Sequence, residues 1–288
     1  MKKRIALIVV GAAVAAVALA GVLLTPRPQA YTGFTMGSVL TQTYWGIGSG
    51  DYVLNAITAL NEELNSAAEA PEKSLEIMEA SNGAYNPYLG ALVKLWNINE
   101  NPYLPTPEEI AEALQKRDVD LGAYGKGAAC DAAFGALGDY DIPIAAVINL
   151  GGNILTYGQK PWGQPFKIAL RDPLGGPNDT VGVFTLKGTH FISTSGSYEK
   201  FFEENGVKYH HIFDPETGYP ACREPGLVSV TVINDNGALG DMLSTACFVL
   251  GYENSLELLE QYNCDALFIY EDGEIRPVGN VMEYYEAR

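Results

Sequence analysis

The sequence is short of charge and shorter still of cations: 18% of its 288 residues are charged, with 18 Lys and Arg against 35 Asp and Glu. A formal net charge of −17 excludes a duplex-binding protein, because neutralising phosphates takes clustered cations. Four of the basic groups lie within residues 1–30 with no acid among them, so the remainder is more acidic than the whole. That surface is repelled by anionic headgroups, which leaves the N-terminus as the part suited to a membrane. Cysteine is scarce too. Cys130, Cys222, Cys247 and Cys264 contain no C-x-x-C pair and make no disulfide scaffold. Cys130 and Cys247 fall in apolar helical stretches and read as small core residues, whereas pairing of Cys222 with Cys264 stays open. With three histidines and no cysteine cluster, a zinc site is disfavoured. Internal repeats and linkers are also missing, so nothing marks a second domain.

What is present is enough apolar material for a real core, 47% of the chain, which excludes disorder. Lys2, Lys3 and Arg4 precede an apolar run from Ile5 to Leu24, long enough as a helix to span about 30 Å. The basic flank predicts an anchor with the rest of the chain outside the cytoplasm. Ala18-x-Ala20 would also permit cleavage as a secretory signal, but Val22-Leu23-Leu24 extend the run and favour retention. Residues 1–30 are therefore expected to be an anchor or signal, and residues 31–288 the working domain.

Along that domain, residues 33–44 read as a strand, and Asp51 opens an amphipathic helix to Asn65. Ser74–Ala80 reads as a second helix. Thr106 with Glu109 three positions on predicts a capping box opening a helix to Lys116. Helices are also expected at Lys126–Leu137, 239–250 and 253–262, and strands at Ile144–Leu150, 166–171, 181–186, 189–194, 226–233 and 265–271. The elements alternate without a βαβ beat, so the expected fold is α+β, with mixed or antiparallel sheets and packed helices.

Two glycine clusters invite nucleotide readings that their spacing denies. Gly46-x-Gly48-x-Gly50 lacks the third glycine of a dinucleotide fingerprint and is followed by Asp51. Gly125-Lys126-Gly127 has no Ser or Thr after the lysine to hold magnesium. The longer segment Asp120–Asp131 does outline a phosphate site, with glycines at 122, 125 and 127, helix-opening amides and the Lys126 cation. The bland alternative is a surface loop and a helix cap. His210-His211 is the second unusual feature: neighbours on a strand face opposite sides, so one of the two can face a cleft. Pro215, Gly218 and Pro220 then lock a turn. Finally, Asp241 and Thr245 sit at i and i+4 on one helical face, where their oxygens could hold a hard cation shared with substrate phosphates. The alternative there is a first-turn Asp serving the helix dipole and a Thr bonded into its own helix.

Taken together the segments resemble the FAD:protein FMN transferase (ApbE) family. The likeness is carried by Met36-Gly37, Ser81-Asn-Gly-Ala84-Tyr85-Asn86-Pro87, Asp120–Gly127, Gly151-Gly152, Thr194–Tyr198, His211–Pro220 and Asp241–Thr245. The chain is shorter than the family's usual length between Asn65 and Ser74 and between Arg117 and Asp120, Ala123 stands for a usual Gly, and Asn86 for a usual Asp. The resemblance implies Mg2+-dependent transfer of the FMN half of FAD to a Thr or Ser hydroxyl of an acceptor protein, releasing AMP. It implies that Met36, Ala84, Tyr85, Asn86, Asp120, Lys126 and Ile212 contact FAD. It implies magnesium held by Asp241, Thr245 and the Ala123 carbonyl, with His211 assisting deprotonation of the acceptor and Asp241 essential to turnover. The implied partner is a membrane-associated electron-transfer protein on the extracytoplasmic face. Two alternatives remain at this point, a metal-dependent FAD pyrophosphatase giving FMN and AMP, and a catalytically weak FAD-binding protein.

Overall fold

The computed structural model describes residues 27–46, 50–139 and 143–288. The expected N-terminal anchor helix and most of the Gly46–Gly50 loop lie outside these residues. Among the described residues no helix is long and apolar enough to cross a membrane.

The fold is α+β, built on an antiparallel eight-stranded sheet. In spatial order its strands are β1 (Gln29–Thr35), β2 (Ser38–Gly46), β3 (Pro143–Leu150), β4 (Asn153–Gly158), β7 (His190–Gly196), β10 (Leu227–Asn234), β11 (Asp265–Tyr270) and β12 (Ile275–Val278). A second sheet orders β13 (Tyr285–Ala287), β6 (Thr180–Leu186) and β5 (Phe166–Arg171), and β8 (Phe201–Glu204) pairs with β9 (Val207–His210). The helices are α1 (Gly50–Ser66), α2 (Glu72–Ala80), α3 (Gly90–Trp96), α4 (Pro107–Leu114), α5 (Gly125–Asp139), α6 (Gly237–Leu250) and α7 (Tyr252–Gln261).

Alternation along the central strands sends side chains to two separate cores. On one face Val230 and Val232 meet Met242, Leu243 and Ala246 of α6; on the other Ile192 and Ile233, with Val228 turned there by the register shift between Leu227 and Ser229, meet Phe166, Phe184 and Leu186 of the small sheet. Helix α6 is thus buried along nearly all its length, matching its lack of a polar face. It crosses α5 backbone to backbone at Gly127 and Gly237, where a Cβ on either residue would fall onto the other's carbonyl. Asp131 of α5 fixes the crossing, its carboxylate accepting the Gly237 and Ala238 amides at 2.7 and 2.8 Å.

The expected capping box is present: Thr106 Oγ1 accepts the Glu109 amide and the Glu109 carboxylate accepts the Thr106 amide. All four cysteines are free, with Cys130, Cys247 and Cys264 buried and Cys222 exposed. Several expectations need correction. Residues 33–44 are not one strand but the inner parts of a hairpin that turns at Met36 and Gly37, both at positive φ, 51° and 66°. Strands β4, β8, β9, β12 and β13 and helix α3 were not foreseen. The stretch between α4 and α5 carries no strand; it runs back along residues 87–90, with the Gly90 amide donating to Asp118 O and the Asp120 amide to Pro87 O. A Cβ at Gly90 would press on the Val119 carbonyl, so only glycine permits this close return.

Candidate active site

The elements around the start of α5 and the middle of α6 gather most of the residues singled out above. Asp241, 3% exposed, is the hub. Its Oδ2 accepts the Gly127 amide at 2.9 Å, and its Oδ1 accepts Asn153 Nδ2 at 3.2 Å. Each carboxylate oxygen keeps a further lone pair, so the group is oriented but not saturated. Asn153 Oδ1 is buried with no partner. One turn on, half-buried Thr245 places Oγ1 3.0 Å from Ser195 Oγ of β7. The i, i+4 pairing on one face holds, but Thr245 is tied to the sheet rather than to its own helix.

The glycine segment behaves differently from its phosphate-loop reading. The Gly122 amide is taken by Asp120 Oδ1 at 2.8 Å and the Gly125 amide by Leu121 O, while Gly127 serves Asp241. These amides hold protein groups in place, and they do not form an anion nest. The cations remain: Lys126 runs beside the Gly151 turn, and its charge acts on both Lys200 and His211. Lys200 is held below its usual value, by desolvation and then by Lys126. In so acidic a chain this is a local positive patch.

The two histidines differ in surroundings, but not through strand alternation, because β9 ends at His210 and His211 lies in the bend beyond it. His210 is buried and wholly engaged, with Nε2 3.1 Å from Ala221 O, Nδ1 accepting the Ile212 amide at 3.3 Å, and its ring edge-on to Phe248. Burial pushes it down to about 4. His211, past the end of β9, keeps partial exposure and sets Nδ1 3.3 Å from Lys200 O. A carbonyl can only accept, so Nδ1 carries the proton and Nε2 presents its lone pair. Desolvation, then the charges of Lys200 and Lys126, holds the ring neutral, down to about 3. The turn that follows is rigid. Arg223 clamps Asp214 through Nε and Nη2 at 2.6 and 2.7 Å, and Trp96 Nε1 donates to Gly218 O at 3.0 Å.

Tyr85 is buried, its hydroxyl 3.0 Å from Ser74 Oγ; burial raises its phenol, and the carboxylates of Asp241 and Asp120 add to the shift, which places all three in one neighbourhood. Ala84 and Ile212 are buried in the same core as Tyr85. Met36, half-buried in its turn, lays its Cε against Gly125. Asn86 Oδ1 accepts the Tyr88 amide at 2.9 Å. Ala123 lies in the turn before α5 and packs on that core. Asn153, Ser195, Asp131 and Lys200 follow or lie within the motifs above, but their partners are distant in the chain, so no local pattern marks them.

Residues 55–268 match the model of the ApbE family. The chain belongs to the ApbE family. An FAD:protein FMN transferase of Treponema pallidum is 35% identical over 80% of this chain and 74% of its own length. One of Klebsiella pneumoniae is 34% identical over 67% of this chain and 66% of its own length. The crystal structure of the ApbE protein of Thermotoga maritima is similar with a TM-score of 0.76 at 25% identity, covering 90% of this chain and 99% of that one. The apo flavinyl transferase ApbE of Pseudomonas stutzeri is similar with a TM-score of 0.73 at 25% identity, over 91% and 98%. The ApbE match thus includes the Asp241 hub, the His211 loop and the Lys126 patch.

Proposed function

We infer that this chain is an FAD:protein FMN transferase, moving the FMN moiety of FAD to a Thr or Ser hydroxyl of an acceptor protein and releasing AMP. The observation that carries the mechanism is the pairing of a neutral His211, its Nε2 lone pair open, with a cationic patch and an oriented carboxylate. In the transfer, the acceptor oxygen forms a bond to the FMN phosphorus and the bond to the AMP oxygen breaks. His211 Nε2 takes the hydroxyl proton, and Lys200 O steadies the ring through Nδ1. Lys126 and Lys200 draw the diphosphate to the mouth of the site and balance its charge. Ala84, Tyr85 and Ile212, buried in the core, back the site on the side assigned to the flavin half, with Met36, Asn86 and Asp120 at its margin.

The donor set fits magnesium. Asp241, Thr245 Oγ1 and the Ala123 carbonyl are all hard oxygens, and the unpaired Asn153 Oδ1 marks polar capacity left over beside them. When bound, the ion would supply charge neutralisation at the diphosphate and the departing AMP. The apolar N-terminal run with its basic flank supports a membrane anchor and an extracytoplasmic site facing a membrane-associated acceptor.

Incubating the purified protein with FAD, Mg2+ and an acceptor carrying a target Thr should give a fluorescent band that survives denaturing electrophoresis. Free FMN and AMP with no such band would replace transfer by hydrolysis, and bound FAD with neither product would leave a binding protein.

A further inference from the structure

We propose that Ser195 is the positioning residue that sets the proton of Thr245, so that Thr245 presents its lone pairs to a divalent cation. The inference rests on the metal reading above and deepens it. Three hydroxyls and one carbonyl form a chain whose direction is fixed at one end. Ser244 Oγ lies 3.0 Å from the backbone oxygen of Asp241, which only accepts, and we assign the Ser244 proton to this i−3 back-bond. Ser195 Oγ is 2.9 Å from Ser244 Oγ. With the Ser244 proton spent, Ser195 must be the donor in that contact. Ser195 Oγ is also 3.0 Å from Thr245 Oγ1, and with its own proton spent it can only accept there. Thr245 is therefore the donor, and its O–H is turned toward β7.

A hydroxyl free to rotate would bond back to a carbonyl of its own helix, as Ser and Thr in helices commonly do. Here Ser244 makes such a bond to the Asp241 carbonyl, while Thr245 has Ser195 Oγ within 3.0 Å as its partner on the sheet side. Strand alternation supplies the geometry. Thr194, the neighbour of Ser195, faces the other way and bonds Thr231 at 2.9 Å, so only Ser195 of this pair can reach α6. Ser195 and Ser244 are both buried, 9% and 0% exposed, which keeps water from substituting for either partner. Outer partners of this kind orient a ligand and commonly change metal affinity by about 10–100-fold when removed.

The test is Mg2+ titration of the full-length protein, read by calorimetry with Mg2+ alone and by the Mg2+ concentration giving half-maximal FMN transfer. Ser195→Ala should raise that concentration by about 10-fold or more while the rate at saturating Mg2+ stays within a few-fold of wild type. Ser244→Ala, which frees the direction of the chain without removing the Thr245 acceptor, should give a smaller rise. Thr245→Val sets the limit for loss of the oxygen itself. A purely packing role for Ser195 predicts a lower unfolding temperature with unchanged Mg2+ dependence, and that result overturns the proposal. Asp241→Ala separates the two levels. If it binds Mg2+ as wild type does, the metal site itself is wrong; if it loses binding while Ser195→Ala does not, only the hydroxyl chain is wrong. Should Ser195→Ala fail to fold, the Ser244→Ala titration decides, with an unchanged Mg2+ requirement contradicting the chain.

Discussion

His211 and His210 are adjacent in the chain and differ in what surrounds the ring: both nitrogens of His210 are engaged, whereas His211 has a contact at Nδ1, and the proposed base is His211 for that reason. Replacing His211 by Gln removes the base but little of the binding surface; FMN transfer should fall by about 10^2–10^4-fold with FAD affinity nearly kept, measured by single-turnover covalent incorporation and by equilibrium binding. The same ring predicts a pH effect. In the free protein it is held down to about 3 by burial, Lys200 and Lys126. A bound diphosphate offsets both lysines, so the acid limb of kcat should lie at higher pH than that of kcat/KM; coincident limbs would remove His211 as the base. Stability follows from both histidines. Their native values, about 4 and about 3, lie below the ordinary 6.5, so on acidification the unfolded chain takes up protons that the folded one refuses. Unfolding free energy should therefore decline as pH falls from 6.5 toward 4. Urea titrations across that window check the slope, and His210→Asn should make it shallower.

At the scale of elements, the site depends on how closely α5 and α6 approach. Gly127 and Gly237 allow a contact that no other residue permits, and that contact puts the Gly127 amide on Asp241. Gly127→Ala should cost about 1–3 kcal/mol or more in chemical unfolding and should weaken FAD binding in whatever folds, because the added Cβ meets the Gly237 carbonyl and Asp241 Cβ and forces the residue-127 amide and the carboxylate apart. This is also where legibility in the sequence ran out. The Thr106 capping box, the amphipathic α1 and the apolar α6 are local patterns, readable from spacing alone. Strand β4 carries Asn153 onto Asp241 and β7 carries Ser195 onto Thr245, and neither contact leaves a local trace. The glycines of Asp120–Asp131 outline a phosphate site in the sequence because glycine signals a closely approached amide. The partners of those amides turn out to be Asp120, Leu121 and Asp241, protein groups that a linear pattern does not reveal.

Across the whole molecule, the α+β class was legible because strands and helices follow one another without a βαβ rhythm, whereas the packing of the small β5–β6–β13 sheet against the far face was not. The motifs that carried the family resemblance are spread over more than two hundred positions, from Met36 to Thr245, and the fold gathers most of them around the start of α5 and the middle of α6. In this strongly acidic chain Lys126 and Lys200 lie close enough for their charges to interact, with Glu199 and Asp120 acting on Lys200 in the opposite sense, and the proposed function uses the two lysines to attract a diphosphate. Calorimetry of FAD binding to the intact protein, with Mg2+ and with a chelator, in wild type and Asp241→Ala, reaches the core of this account most directly. Association that strengthens with Mg2+ in wild type and loses that dependence in the folded variant is the predicted result. A variant whose binding responds to Mg2+ just as wild type does would contradict a cation held by the α6 face against the diphosphate.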